Sequence, residues 1–294
     1  MSTGSVAADR ADAVLAPRLR MPFKGDGLAR AALVVLALML LVSVLAPILP
    51  VGDPSDVAVG PRLQSLSWSF PLGTDELGRS QLPRVLEGIR VTVVLAAGAV
   101  IVTAMIGVVV GMVAAYFGGW VDEVIVRLAD VMFSFPSILF AVLMSAIIGP
   151  GVTAAIVSII IITLPLMIRV VRAASLVVLE RDFILAAEIA GASRRRIMFV
   201  HLLTNIGGPV VVQATYAISV GVLVESTLSF LGLGVQPPGA SLGSLLKDGI
   251  IYLPIAPWLV FAPGLVLALV IFTVNLLGDG LRDSLDAQQA RALS

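Results

Sequence analysis

Side chains able to do chemistry are scarce in this chain of 294 residues, which has no cysteine and a single histidine, His201. One histidine cannot supply a two-histidine metal motif, and without cysteine there is no thiolate ligand and no thiol nucleophile. Neither lysine lies in a phosphate-binding loop of the form Gly-x-x-x-x-Gly-Lys-Ser/Thr, and no Gly-x-Ser-x-Gly motif with triad partners is present. The sequence therefore disfavours an enzyme and excludes ATP hydrolysis through a phosphate loop.

Charged and small residues cluster in the stretch 183–201, a helix-forming segment between two apolar segments. Seven of its residues are candidates for a surface that docks a partner protein: Ala186, Ala187, Gly191, Arg194, Arg195, Arg196 and His201. The small residues would let a partner approach the backbone, and Gly191 can divide one helix into two. The arginines have an equal alternative as a positive cluster that only sets topology. His201 is interpreted as an interfacial histidine with satisfied hydrogen bonds rather than a proton switch.

A second group of candidates lies further along the chain and could form a translocation path or gate. A carboxylate within an apolar segment is a functional hypothesis by default, and Glu225 is the clearest case. Its alternative is a hydrogen bond to a neighbouring hydroxyl or helix. The loop that follows contains Gln236, Pro237 and Pro238, and its prolines and glycines favour turns over a regular helix. A gate and a plain connector are both open for this loop.

The composition requires a membrane environment for these residues. Hydrophobic residues make up 59% of the chain, charged residues 13%, and the mean hydropathy is +1.06. Soluble domains carry about 25% charged residues. We therefore predict an all-α integral membrane protein whose immediate partner is the lipid bilayer. The net charge of zero gives no reason to expect a nucleic-acid partner.

Six segments are apolar over the roughly 20 residues that a helix needs to cross a bilayer. They are residues 31–49, 91–117, 124–148, 152–171, 206–231 and 258–277. The third and fourth come from one uncharged run that Gly149-Pro150-Gly151 interrupts, which predicts a hairpin. In the second segment, Gly107 and Gly111 form a Gly-x-x-x-Gly pair, which is interpreted as packing within the subunit, with a dimer seam as the alternative.

The positions of the basic residues predict that both termini are cytoplasmic. In that orientation only five of the 19 basic residues lie outside: Arg62, Arg79, Arg84, Arg90 and Lys247. The predicted divisions are a cytoplasmic tail (1–30), a first transmembrane helix (31–50), an extracytoplasmic segment (51–90), a five-helix transmembrane domain (91–279) and a cytoplasmic tail (280–294). The cytoplasmic loop 180–203, here called the elbow, lies within the transmembrane domain. Asp75 and Arg79, four residues apart, are expected to support a short helix in the extracytoplasmic segment.

The elbow resembles the coupling loop that permease subunits of ABC importers present to an ATPase. The matching positions are Ala186, Ala187 and Gly191, followed by His201-Leu-Leu. The chain departs from the usual pattern at Leu185, where the family has glutamate, and at Thr204, where it has proline. The resemblance implies a type I ABC importer permease fold with six transmembrane helices, and it gives the seven candidates an ATPase-coupling role.

Four further strings resemble the C-type permease of the dipeptide, oligopeptide and nickel branch: residues 71–79, 111–122, 225–238 and 275–286. Phe70 and Ser80 depart from that branch, where histidine and aspartate are common. The resemblance implies a multi-pass protein of a bacterial inner membrane that imports dipeptides or oligopeptides. Its expected partners are a homologous B-type permease, one or two ATPase subunits and an extracytoplasmic peptide-binding protein. No cofactor is expected in this chain, because ATP and magnesium would bind the ATPase.

Three alternatives to peptide import remain open from the sequence. A transporter of the same family could carry a nickel chelate, heme or another small solute, although the absence of cysteine and of histidine within the spans favours peptide. A secondary transporter or channel is disfavoured because the spans hold few ionisable residues. An intramembrane enzyme is disfavoured because no nucleophile and base are paired.

Overall fold

The computed structural model describes residues 27–292, and side chains only as far as Leu285, so most of the predicted N-terminal tail lies outside it. Within that range the regular elements are helices, residues 46–80 form none of them, and the only bridge-type pairing joins Thr74 to Ser80. The helices are α1 Gly27–Leu45, α2 Gln81–Phe117, α3 Gly119–Ser134, α4 Ser137–Ile148, α5 Val152–Leu179, α6 Asp182–Ile189, α7 Arg194–Phe230, α8 Leu242–Ile250 and α9 Trp258–Ala292. Helix α7 contains one π-helical turn, Ile197–Leu202.

Five of the described helices, α1, α2, α5, α7 and α9, are long and apolar enough to cross a membrane. Helices α2, α5, α7 and α9 pack together, and α1 lies against α9 and α2. Several helices run past the apolar segments that predicted them: α2 begins at Gln81 rather than at 91, and α5 continues to Leu179 rather than ending at 171. Hydropathy marks the part of a helix in lipid, whereas the backbone hydrogen bonds continue into the polar flanks.

The third predicted span, 124–148, is wrong as a straight helix. It consists of α3 and α4, which meet at an angle of 90°. Pro136 has no N–H, and Phe135 before it takes an extended conformation with ψ of 132°, as steric contact with the proline ring requires. At about 1.5 Å per residue, neither helix alone covers the roughly 30 Å of a bilayer core. The predicted total of six spans holds when this bent pair counts as one.

Two ion pairs hold α3, the first helix of the bent pair, against α5. Arg172 binds the carboxylate of Asp122 through two nitrogens, and Arg169 binds Asp130. The guanidinium of Arg169 also lies 4.5 Å from the centre of the Phe133 ring. Helix α3 is thus joined to α5 through ion pairs, whereas the five apolar spans contact one another through apolar side chains.

The hairpin predicted at Gly149-Pro150-Gly151 is confirmed. Gly149 ends α4 with φ of +97°, and Gly151 precedes α5 with φ of +147°, both in the range that favours glycine. The N–H of Gly151 donates to the carbonyl of Leu233 at 3.0 Å. The hairpin is therefore joined to the loop after α7.

The pair Gly107 and Gly111 packs within the subunit, as predicted. A side-chain carbon at Gly107 would lie 2.4 Å from Cγ of Met167, and one at Gly111 would lie 2.8 Å from the carbonyl oxygen of Ile168. The two glycines thus allow α2 to approach the backbone of α5 closely. Val171, also on α5, is fully buried beside them.

We expect Gly111→Leu to destabilise the protein, because the leucine side chain would overlap the α5 backbone. Overpacking of this kind typically costs about 1–3 kcal/mol, and a backbone obstacle cannot move aside as a side chain can. Gly98→Leu is the matched control: Gly98 lies on the same helix, and a side chain there meets no atom within 4 Å. Thermal unfolding of the purified transporter should show a lower midpoint for Gly111→Leu only, and equal midpoints would contradict close packing of α2 on α5.

Candidate functional site

The elbow is built around Gly191, which ends α6 in a left-handed conformation with φ of +80°. The N–H of Ala192 donates to the carbonyl of Ala187 at 3.0 Å, and the N–H of Gly191 donates to Glu188 at 2.9 Å. This pair of bonds is the Schellman motif, which satisfies carbonyls at a helix end and strongly favours glycine at this position. The chain then enters α7 after Ser193, whose hydroxyl accepts from the N–H of Arg196 at 3.4 Å. Gly191 therefore divides the elbow into two helices, as predicted.

Helix α6 leaves most of its surface uncovered. Ala186 and Gly191 are exposed and Ala187 is half-buried, and a side-chain carbon at Gly191 would meet no atom within 4 Å. Two apolar residues on the same helix are also exposed, Leu185 at 59% and Ile189 at 80%. They were missed as candidates, although apolar residues four apart in a polar loop are the signal for a docking face.

The other side of α6 is anchored to the bundle by Ile184, which is only 2% exposed. A cavity beside it is lined by Tyr116, Phe117, Leu179 and Arg194, among others. The guanidinium of Arg194 lies 5.9 Å from the centre of the Phe117 ring, at the end of α2. The elbow therefore has one face fixed to α2 and α5 and one face open.

The remaining candidates of the elbow differ in their surroundings. Arg195 and Arg196 are exposed and form none of the ion pairs found among residues 27–285. His201 is half-buried in the π-helical turn, with its ring centre 6.3 Å from that of Phe183. That contact joins α6 to the start of α7, in keeping with the interpretation of His201 as an interfacial residue, which stays a prediction.

Glu225 lies in the interior of this chain and is fully buried. Its carboxylate accepts a hydrogen bond from the hydroxyl of Ser229 at 2.6 Å and from that of Ser226 at 3.4 Å. The hydroxyl of Ser229 in turn accepts from the N–H of Val235 at 3.1 Å. The structure thus places Glu225 among hydroxyls of its own helix, where it ties the end of α7 to the following loop rather than lining an open surface.

The loop after α7 is closed on itself by Gln236. The amide nitrogen of Gln236 donates to the carbonyls of Gly232 at 3.1 Å and Gly234 at 2.8 Å. Pro237 and Pro238 line a charged cavity together with Gln236. The structure therefore brings these three candidates together, close to Ser229 and thus to Glu225, at the end of the bundle opposite the elbow.

A third region, not predicted from the sequence, is an apolar cavity of about 420 Å³ between the bent pair α3–α4, α5 and α7. Its lining includes Thr163, Gln213 and Tyr216, and the last two also line an adjoining cavity of about 340 Å³ that reaches Arg282. The two cavities form a groove along α7 with few polar groups. Sequence spacing alone could not reveal it, because its walls come from segments far apart in the chain.

Among the described residues, no group of three or more metal-ligating side chains is found.

The fold and the elbow define a membrane component of an import system, and comparison with known proteins identifies the family. Residues 107–291 match the family described as "Binding-protein-dependent transport system inner membrane component". The chain belongs to this family.

Two of its curated relatives carry names of dipeptide permeases. The Di/tripeptide transport system permease protein DppC of Pseudomonas aeruginosa is 38% identical over 88% of each chain. The Dipeptide transport system permease protein DppC of Alkalihalophilus pseudofirmus is 36% identical over 90% of this chain and 86% of the relative. A chain of the inward-facing MetNI methionine ABC transporter has the same fold, with a TM-score of 0.58, 20% identity, and coverage of 69% of this chain and 97% of that chain.

These findings confirm the resemblance to C-type ABC permeases and the expected all-helical type I permease fold. The chain is an inner membrane transport subunit rather than an enzyme. Membership of the family implies an ATPase and a binding protein as partners.

Proposed function

We propose that this chain is the C-type permease of an ATP-driven importer of dipeptides and oligopeptides. It would pair with a homologous B-type permease, receive peptide from an extracytoplasmic binding protein and be driven by one or two ATPase subunits. The observation that supports peptide as the cargo is the 38% identity, over nearly the whole chain, to a di/tripeptide permease. No cofactor would bind this chain, because ATP and magnesium belong to the ATPase.

The open face of the elbow is the proposed docking surface for the ATPase. Exposed Leu185 and Ile189 offer apolar contact, and the small residues Ala186 and Gly191 let the partner approach the backbone. The predicted orientation, with both termini cytoplasmic, puts this face on the side where ATP is available. Arg194, Arg195 and Arg196 would form the charged edge of the same surface.

The coupling would travel through α7, which begins in the elbow and continues to the outer loop. Helix α7 has 37 residues, which corresponds to about 55 Å at 1.5 Å per residue. Its far end is bonded through Glu225 and Ser229 to the loop that holds Gln236. ATP binding can drive transport only if the ATPase contacts the elbow differently in two conformations of the permease. A rigid helix between the elbow and the loop would make both ends move together.

The groove along α7 is a better candidate for the peptide path than Glu225. It is open, and among its polar side chains Gln213 could hydrogen-bond a peptide without holding it tightly, whereas the hydroxyl of Tyr216 already donates to Asp279 and could only accept. Glu225 is enclosed by its own subunit and could affect transport by fixing the loop. Gln236, Pro237 and Pro238 would then act as the gate at the outer end.

The cargo is tested by ATP-dependent uptake into vesicles that contain the assembled transporter. We expect unlabelled dipeptides, tripeptides and longer peptides to compete with a labelled dipeptide, and heme and nickel chelates to have no effect. Vesicles without ATP provide the control for passive entry. Efficient competition by heme or a nickel chelate, with none by peptides, would assign a different solute to this member of the family.

A further inference from the structure

The cavity at the end of the bundle opposite the elbow is lined by several charged groups. Its volume is about 260 Å³, and its walls come from the start of α2 and the segment before it, the end of α7 and the loop after it, and helix α8. Five charged residues line it: Glu76, Arg79, Arg84, Lys247 and Asp248.

Part of this charge is neutralised within the chain. The carboxylate of Asp75, just behind the cavity, binds Arg79 at 2.6 Å and Arg84 at 3.2 Å, and it also accepts the N–H of Leu77 at 2.9 Å. Arg84 makes a second ion pair with Asp248 at 3.3 Å. Asp75 has therefore no capacity left for a ligand, and Arg84 is held in place from two sides.

Three groups that line the cavity have bonding capacity left in the described part of the chain, although the other carboxylate oxygen of Glu76 pairs with Arg79 at 3.5 Å. Lys247 forms none of the ion pairs or hydrogen bonds found there, and its side chain is exposed at the cavity mouth. The Nε of Arg84 and the Oε2 of Glu76 are buried and make no hydrogen bond. Buried polar atoms are normally satisfied, so these two are free to bond to water or to a ligand in the cavity.

We propose that this cavity binds a small peptide by its two charged ends. Lys247 and the Nε of Arg84 would bind the carboxylate, since hydrogen bonds between charged groups are the strongest available to such a ligand. The Oε2 of Glu76 would accept from the ammonium of the same molecule. This inference rests on the proposed peptide cargo and adds to it a binding site at the outer end of this subunit.

The size and position of the cavity fit such a ligand. Pockets for drug-sized molecules have about 300–1,000 Å³, so a cavity of about 260 Å³ holds one or two amino acid residues, or only the end of a longer peptide. Ser229 lines the cavity and also binds Glu225. A bound peptide would therefore contact the end of α7, the helix that leads back to the elbow.

The test measures binding of dialanine, dialanine amide and N-acetyl-dialanine to the purified permease–ATPase complex in lipid nanodiscs, without the binding protein. Lys247→Met keeps the length of the side chain and removes its charge. We expect it to weaken dialanine about tenfold or more and to leave dialanine amide, which lacks the carboxylate, unchanged. Glu76→Gln should weaken dialanine but not N-acetyl-dialanine, which lacks the ammonium.

Arg62→Met is the matched control, because Arg62 is an exposed cation of the same outer segment and does not line the cavity. Its dialanine affinity should equal that of the unchanged protein, and thermal unfolding confirms that each variant is assembled. Equal losses for dialanine and its amide in Lys247→Met, or no detectable binding of dialanine, would overturn the proposed site.

The same preparations, assayed for uptake, separate this inference from the proposed function. A complex that imports dipeptides while dialanine binding is independent of Lys247 overturns the site only. A complex that binds dialanine through Lys247 but imports no peptide overturns the cargo and supports a carboxylate site.

Discussion

Replacing Gly191 with tryptophan is expected to abolish ATP-driven uptake while the subunit remains in the membrane. Gly191 has φ of +80° and faces open space, so the indole would project into the volume that the ATPase is proposed to occupy. A β-carbon at this position meets no atom of the chain within 4 Å, and the elbow lies outside the transmembrane packing, which should be unaffected. Uptake by reconstituted vesicles and co-purification of the ATPase subunits measure the two consequences. Normal uptake together with normal ATPase assembly would refute the docking surface.

Two companion variants separate steric bulk from backbone strain. Gly191→Ala adds only the cost of a left-handed conformation, about 1–2 kcal/mol, and should retain part of the uptake. Gly149→Trp is the matched control, because Gly149 also has a positive φ of +97° and open space around it, but it lies in the hairpin at the far end of the bundle. If Gly149→Trp abolished uptake as completely as Gly191→Trp, strain or misfolding rather than docking would explain the loss.

Features with local causes could be predicted from the sequence. The apolar segments located the helices because the required length is set by the bilayer, and Gly191 predicted a break because few other residues tolerate a positive φ. The pair Gly107 and Gly111 predicted close helix packing, because the absence of a side chain can be read directly from the residue type. The bend between α3 and α4 also had a local signal in Pro136, which the length of the apolar run obscured.

Features that depend on distant partners could not be predicted. Asp75 and Arg79 were expected on a short helix, but they lie on either side of a turn at residues 76–77, where Asp75 also binds Arg84. Arg84 pairs in addition with Asp248, which is 164 residues away. The seclusion of Glu225 likewise depends on how the loop folds back onto Ser229. Charge spacing along the chain does not show which residues of a remote segment will meet.

The network around Arg84 leads to the second large expected effect. Arg84→Met should destabilise the end of the bundle opposite the elbow by about 2 kcal/mol, because it removes the cation shared by two carboxylates and leaves the buried Asp75 with Arg79 as its one remaining cation. The side chain of Arg84 is only 4% exposed, so water cannot take over its role. The midpoint of thermal unfolding of the purified complex measures this loss. Arg84→Lys should be intermediate, since one ammonium cannot reproduce the fork that reaches both carboxylates.

Arg127→Met is the control that tells buried from exposed pairing. Arg127 binds Glu123 four residues away on α3, and the two side chains are 75% and 62% exposed. Pairs of this kind contribute less than about 0.5 kcal/mol because solvent screens them and holding both side chains costs entropy. We therefore expect the midpoint to fall for Arg84→Met and to stay nearly unchanged for Arg127→Met. Equal midpoints would mean that Arg84 serves the ligand cavity alone, since a structural cation in this buried position cannot be removed without loss of stability.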